Sequence, residues 1–486
     1  SLQPGSTETT MPLSPERAWP VPDAMQAAVA ETLRALETAP DRSGIPDAAF
    51  ARQSDLGTSM DLVAPIDPAH RYRLDELIDI AQRNTPDTSA AWEAARQAGL
   101  AVGVARSTLF PRLAASAVGG YQRLSTPIQV PVLGTQTLTE DFSDLVPILS
   151  LEWLLFDFGQ RDAAIRAARH LTTVANVSFN QVHQQLVFDV SNAFHAARAA
   201  DDKSSSAQRA VQAAEQLLAV AEKAERTGLG DRIEVAQARQ QLAQARLALT
   251  NARAERVVAQ IDLNAALNLP QETRIRLDAG NRGTLPTLTA RSLAEVIEAA
   301  LSRRPDLIAA VAEVQAARAQ RDVAKASFLP KVGLVGSVTT NDNAFRLNSS
   351  ETLGTPVQQT GILLGVTLPL SEGGLRERQL QSAESRIRGA ESEVLATRRL
   401  AAREIAIAYE GLRSSLAAYQ SVDALVEATQ VGVDAARKGL EVGYTSLAEA
   451  AAAEKALMEA EELRADARRD AFEAAATLAL VTGAWQ

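Results

Sequence analysis

Apolar residues recur at helical spacing over two very long stretches of this chain and at alternate positions over four short ones. From Asp162 to about Thr227, and from Leu375 to about Val442, proline is absent and an apolar stripe persists, as in Leu186, Val187, Val190, Ala193, Phe194 and Ala197. A 3.6-residue period kept this long predicts two helices of roughly 100 Å each, packed as in a coiled coil. Shorter helices are predicted over about 74 to 108 and about 231 to 268. Laid end to end, the two match one long helix in length.

The alternating windows lie between the helices. Leu149, Leu151, Trp153 and Leu155 are interleaved with Ser150 and Glu152, and Leu364, Val366, Leu368 and Leu370 with Gly365 and Thr367. Leu113, Ala115 and Ala117, and Val332, Leu334 and Gly336, supply two more windows. Alternation of this kind predicts strands of about 10 to 12 residues that show lipid one face and water the other. No run reaches the roughly 18 consecutive apolar residues of a membrane helix, so any membrane crossing must be made by strands. Four strands cannot close a barrel, and an open edge in lipid leaves backbone groups unsatisfied. Two chains give eight strands, whose interior side chains fill, whereas three give twelve, which leaves a lumen. The expectation is a homotrimer sharing a twelve-stranded barrel.

The chain repeats itself. Leu74 to Ile78 and Pro86-Asp87 return as Leu293 to Ile297 and Pro305-Asp306, and Pro111 returns 219 residues later as Pro330. Gly159-Gln160-Arg161 returns as Gly374-Leu375-Arg376, and Gly228 as Gly443, now 215 residues later. Matches that hold one register argue for an internal duplication, with a hairpin absorbing the four-residue difference. The predicted organisation is an arm at 1–72, a first repeat at 73–290 and a second at 291–486. The arm is rich in Pro, Ser and Thr, with one amphipathic helix starting near Asp23 and turning Met25, Val29, Leu33 and Leu36 inward. It is expected to wrap the helical barrel from outside.

Composition narrows the class. Only 4% of the 486 residues are aromatic, while alanine dominates the helical stretches, as suits close helix-on-helix packing. The formal charge of −10 comes from interspersed charges with no basic run, so nucleic acid is excluded as a partner. Cysteine is absent, which removes disulfides, thiolate metal sites and thiol nucleophiles.

The helix-strand-strand-helix plan occurring twice, the Pro111 and Pro330 stops, the Phe156-Asp157-Phe158-Gly159-Gln160-Arg161 turn, and the Thr227-Gly228-Leu229 and Val442-Gly443-Tyr444 breaks together resemble the TolC-like outer-membrane factor family over about residues 70 to 484. The resemblance implies a mostly α fold: a long α-helical barrel in the periplasm and a small transmembrane β-barrel, both shared by a homotrimer. It implies a Gram-negative outer-membrane location, a passive exit duct of an efflux pump or type I secretion system, no enzyme activity and no cofactor. The partners implied are a periplasmic adaptor (membrane fusion protein), an inner-membrane transporter and outer-membrane lipid. Thr227, Gly228, Leu229, Val442, Gly443 and Tyr444 match the tips that receive the adaptor. The other reading of each glycine is a plain helix C-cap. The class rival is a coiled-coil scaffold without a pore, which leaves the repeated strands unexplained.

Glu234 and Glu449 each stand six residues after a tip glycine, and in the family acidic residues at these positions lie near the entrance constriction. A threefold ring there would favour cationic species. Both also have capping-box spacing from Asp231 and Ser446, so each is alternatively a helix cap. Thr445 and Ala452 stand where a well-known relative has Arg and Asp, so that relative's gate lock is not expected. Asp157-Phe158-Gly159 resembles the kinase magnesium triplet but lacks the companion kinase segments. His70, His170, His183 and His195 lack i, i+4 pairing, and no metal site is expected. Trp153, Phe156, Phe158 and Tyr121 are placed at strand ends, as an aromatic girdle or through ordinary strand preference.

Overall fold

Proline and glycine punctuate the chain as the sequence anticipates, and in two places more often. The computed structural model describes residues 26–27, 30–31, 66–132, 134–228, 230–278, 284–288, 291–347 and 353–484. In chain order the helices are α1 (Leu74–Asn84), α2 (Pro86–Ser107), α3 (Gln160–Arg226), α4 (Arg232–Ala266), α5 (Leu293–Leu301), α6 (Pro305–Ala326), α7 (Leu375–Val442) and α8 (Leu447–Thr482). The helix expected over about 74 to 108 is therefore two helices. Pro86 lacks an N–H and disfavours helical backbone in the residue before it, and Thr85 is extended at φ −83°, ψ 121°. Pro305 opens α6 in the same way. Of the N-terminal arm only Gln26, Ala27, Ala30 and Glu31 are described, all helical. Met25, Val29, Leu33 and Leu36 lie outside the described residues, as does any wrapping by the arm.

At 67 and 68 residues, α3 and α7 are each about 100 Å long. Polar pairs lace α3 to α4 at a strict seven-residue step: Arg239 to Glu222 (3.1 Å), Arg246 to Glu215 (3.0 Å) and Arg253 to Gln208 (2.8 Å). A seven-residue step is the coiled-coil period, and exposed pairs like these fix register more than they add stability. Beneath them Ala207, Val211 and Ala214 of α3 pack on Leu242, Leu249 and Ala252 of α4. The alanines let the backbones approach closely. A second core joins Leu77 and Ala81 of α1, Leu186 and Val190 of α3, and Leu263 with Leu267 at the end of α4. Leu77, Leu263 and Leu267 are fully buried, worth roughly 2 kcal/mol each.

The strands are β1 (Arg71–Tyr72) and β4 (Arg276–Leu277), a short parallel pair, with β2 (Arg112–Val130), β3 (Gly134–Phe156), β5 (Lys331–Leu347) and β6 (Leu353–Thr367) in one antiparallel sheet of order β2-β3-β5-β6. At 19, 23, 17 and 15 residues the four strands exceed the expected 10 to 12. Apolar alternation marks only part of each ladder, and backbone pairing continues through polar stretches such as Thr135 to Thr139 opposite Ser125 to Gln129. The β3–β5 register breaks between Asp141 and Ile148, where Pro147 has no N–H to give.

The chain divides into two compact units. One takes residues 1–96, 173–311 and 393–486, and the other 97–172 and 312–392, which hold the four-stranded sheet. Each draws on both of the segments read as repeats.

Candidate functional site

Register sorts the sheet into two faces. Leu113, Leu151, Gly336 and Ile362 share a rung; Ala115, Leu149, Val338 and Thr360 share another; Trp153, Leu334 and Leu364 form a third, and Phe156, Val332 and Val366 a fourth, all on one face. The opposite face carries Arg112, Glu152, Ser150 and Ser337 beside Val335 and Leu363. Leu149, Leu151, Trp153, Leu364 and Val366 thus fall on a common face, as the shared phase predicts. Four expected strand positions differ. A register shift between Leu154 and Phe156 leaves Leu155 opposite no β5 residue and brings Phe156 onto the apolar rung. Leu368 and Leu370 lie past β6, which ends at Thr367, two residues before Pro369. Tyr121, expected at a strand end, stands inside β2 opposite Ser143.

The turn from β3 into α3 is built around an ion pair. The Asp157 carboxylate accepts from the Gly159 amide (3.3 Å), the Arg161 amide (2.9 Å) and Arg161 Nε (2.9 Å), while the guanidinium also donates to the carbonyls of Thr108 and Leu154. Arg376 makes the corresponding i, i+4 ion pair with Glu372 before α7 (3.2 Å), without a hydrogen bond at Nε, and its guanidinium lies over the Phe328 ring. This clamp was not anticipated. Extending the Gly159/Gly374 match two residues back, which aligns Asp157 with Glu372, would have exposed it. The same alignment sets Phe158, at φ 53°, against Gly373, at φ 63°. For a residue with a Cβ that backbone costs roughly 1–2 kcal/mol.

The helical breaks form two tips. After α3, Thr227 and Gly228 are exposed, with Gly228 at φ 73°; Leu229 lies outside the described residues. Asp231 caps α4, its Oδ1 accepting from the Glu234 amide at 2.8 Å. After α7, Val442, Gly443 (φ 80°) and Tyr444 are exposed, Tyr444 by 91%. There Ser446 and Glu449 complete a capping box: the Ser446 amide and hydroxyl donate to Glu449 Oε2 at 2.8 and 2.9 Å, and the Glu449 amide donates back to Ser446 Oγ at 3.2 Å. Hydrogen bonds from the Ser446 backbone and then its hydroxyl hold the Glu449 carboxyl below the usual range. Glu449 caps its helix, whereas at the first tip Asp231 does so and the half-buried Glu234 makes no box.

The fold brings the tips together. Leu447 packs with Ala221, Val235 and Ala238, and Leu217, Leu218 and Leu440 close around them. Farther along α3 and α8, a cleft of about 380 Å³ is lined by Phe194, His195, Arg198, Arg468 and Phe472 among others. His195 stacks on Phe472 at 4.2 Å and 5°. Burial, then the Arg468 and Arg198 charges, push its pKa down to about 4. A histidine on an amphipathic helix carries no sequence signal for this setting. Among the described residues no group of three or more His, Asp or Glu is placed to hold a metal ion, and no helix is long and apolar enough to cross a membrane.

Residues 77–269 and 296–484 both match the family described as Outer membrane efflux protein. Protein CyaE of Bordetella pertussis is 29% identical over 77% of this chain and 76% of its own length. The pyoverdine export outer membrane protein OpmQ of Pseudomonas putida is 24% identical over 85% and 86%. The solved outer membrane protein VceC of Vibrio cholerae shares the fold with a TM-score of 0.65 at 22% identity, over 84% of this chain and 96% of VceC.

Proposed function

The chain belongs to the outer membrane efflux protein family, and from that premise we propose that three copies form a passive export duct through the outer membrane of a Gram-negative cell, gated at its periplasmic end. The observation that carries this reading is the sheet. One face carries four largely apolar rungs across the strands, while among the described residues β2 and β6 each pair on one side only. In hydrocarbon each unpaired backbone group costs several kcal/mol, so an apolar sheet with two long open edges calls for closure against further copies. Three chains supply twelve strands, and twelve leave a lumen.

The same order of two helices, two strands, a very long helix and a shorter one runs from α1 to α4 and again from α5 to α8, with one family match on each. This supports an internal duplication with repeats at 73–290 and 291–486 and an arm at 1–72. The tips at Thr227, Gly228, Leu229, Val442, Gly443 and Tyr444, whose described residues are exposed, are where a periplasmic adaptor docks, linking the duct to an inner-membrane transporter that does the driving. Export is what the name of OpmQ states of that relative. An adaptor that binds splayed tips more tightly than closed ones shifts the population to the open state. Glu234 and Glu449 sit beside that gate.

Electron microscopy of detergent-solubilised particles tests the proposal directly. A threefold hollow ring in projection down the long axis is expected. Solid rods without a lumen would overturn the duct and favour a coiled-coil scaffold. A cysteine pair locking neighbouring tips should stop transport, and unimpaired transport would move the gate elsewhere.

A further inference from the structure

The duct reading gives no work to the cleft beside His195, yet its walls have the chemistry of a ligand site. It lies wholly within the unit that holds residues 1–96, 173–311 and 393–486. Phe472 and His195 stack face to face at 4.2 Å, and Phe194 meets the imidazole edge-on at 5.3 Å and 82°. Two arginines flank these rings. Arg468 holds its guanidinium 5.7 Å from the Phe472 centroid, and Arg198 follows His195 by three residues on one face of α3, donating to the Asp278 carbonyl. A guanidinium carries five N–H donors, so one carbonyl does not exhaust it. Asp75, Asp202 and Asp278 also line the cleft, but Asp75 is paired with Arg73 at 2.6 Å and Asp202 is exposed. The charges that reach the His195 ring are those of Arg468 and Arg198, and burial first, then these charges, keep the ring neutral.

The second copy shows that the fold does not require this wall. Helices α4 and α8 align at the 215-residue offset from their first residues, Arg232 and Leu447, to the left-handed residues that follow them, Asn268 (φ 51°) and Gly483 (φ 66°). In that register Phe472 answers to Val257, 56% exposed, and Arg469 to Ala254, while His195 answers to Glu410. The helix keeps its length and its ends without the ring stack. Stacked rings beside arginines, present in one copy alone, are therefore local chemistry and no demand of helix packing.

The cleft volume of about 380 Å³ falls at the lower end of small-molecule sites, room for a body of about one or two fused rings. We infer that the cleft binds a small aromatic carboxylate, its flat body against Phe194, His195 and Phe472 and its carboxylate on Arg198 and Arg468, whose planar forks match it. The test is equilibrium dialysis of 2-naphthoate against the full chain in detergent at neutral pH, with empty micelles as the blank and the neutral isostere 2-naphthamide alongside. One naphthoate per chain is expected, with naphthamide about tenfold weaker, since the amide brings no charge to the two arginines. Arg468→Gln and Phe472→Val should each weaken naphthoate about tenfold, while Arg413→Gln, which alters the arginine matching Arg198 in the second copy, should leave it unchanged. Phe472→Val brings in the side chain that the second copy tolerates at that place, so it decides the matter should loss of Arg468 disturb folding. Equal binding of naphthoate and naphthamide, or parent-like affinity in Phe472→Val, overturns the site and leaves only apolar uptake. An equal loss in Arg413→Gln overturns it as well, reducing the effect to net charge, and so does a parent chain that binds no more than the micelle blank.

Discussion

The two tips make the same turn with complementary side chains. Gly230 donates to the Ala224 carbonyl at 3.1 Å, and 215 residues later Thr445 donates to the Gly439 carbonyl at 3.2 Å. At the first tip a Cβ on residue 230 would lie 2.9 Å from the Ala224 Cβ and from Glu234 Oε2, so 230 is glycine and 224 keeps its methyl. At the second the roles reverse. Gly439 leaves the room, and a Cβ there would meet the Thr445 Cβ at 3.0 Å. The turn demands one missing methyl across this pair, and the two copies omit it from opposite partners. Gly230→Thr should therefore destabilise the first tip by about 3 kcal/mol, the upper range of overpacking, and Ala224→Gly in the same chain should recover most of it. Hydrogen exchange of the tip amides reads this locally. Equal losses in the single and double variants would break the comparison.

The middle of the helices differs more than the tips. His195 stacks on Phe472 in a cleft, while its counterpart Glu410 sits outside, paired with Arg413 at 2.7 Å. The His195 pKa falls from the ordinary 6.5 to about 4, so between those values the unfolded chain binds more protons than the folded one. Stability contributed by the neutral ring is complete above pH 6.5 and is lost as pH falls toward 4. At pH 5 the loss is about 2 kcal/mol at 1.36 kcal/mol per pKa unit. His195→Phe should flatten that part of the stability–pH curve measured in detergent, and Glu410→Gln should leave it unchanged. A histidine variant with an unaltered curve would remove the cleft as its cause.

Caps come next in size. Asp231→Ala and Ser446→Ala should each cost about 1 kcal/mol, since each leaves a first-turn amide without its acceptor. Glu449→Ala should weaken its tip further, while Glu234→Ala should not weaken the first through any cap. The Glu449 carboxyl is held below its ordinary 4.5, so the cap persists above that value and fails only as pH drops through the depressed one. Protection of the second-tip amides against pH is the readout.

How much of this the sequence discloses depends on whether a signal is periodic or local. The long helices α3 and α7 start and stop within two residues of expectation, because glycines bound an unbroken stripe. The strand faces follow from alternation, but strand length does not, since Thr135 to Thr139 pair through backbone atoms that no side-chain pattern records. The Pro86 break went unread although the proline was in view, for a helix of 22 residues resumes at once behind it. Glu234 and Glu449 show identical spacing, yet one caps and the other does not. Asp231 offers a shorter carboxylate to the amide that Ser446 serves at the other tip. The Arg161 clamp depends on carbonyls of Thr108 and Leu154, remote from any motif.

The smallest expected change in stability gives the sharpest test of what the tips do. Glutamine can replace glutamate in a capping box, so Glu449→Gln should shift stability by only a few tenths of a kcal/mol, and Glu234→Gln by no more. Charge is then the quantity that changes. The Glu449 oxygen already accepts from the Ser446 amide and hydroxyl, whereas the Glu234 carboxylate is not engaged by its cap. If three Glu234 carboxylates ring the gate, Glu234→Gln should lower cation selectivity of single-channel conductance in planar bilayers more than Glu449→Gln does, with the loss shrinking at high salt as screening sets in. Equal selectivity in both variants and the parent would return Glu234 to the outer surface of the tip and leave constriction to the apolar residues around Leu447.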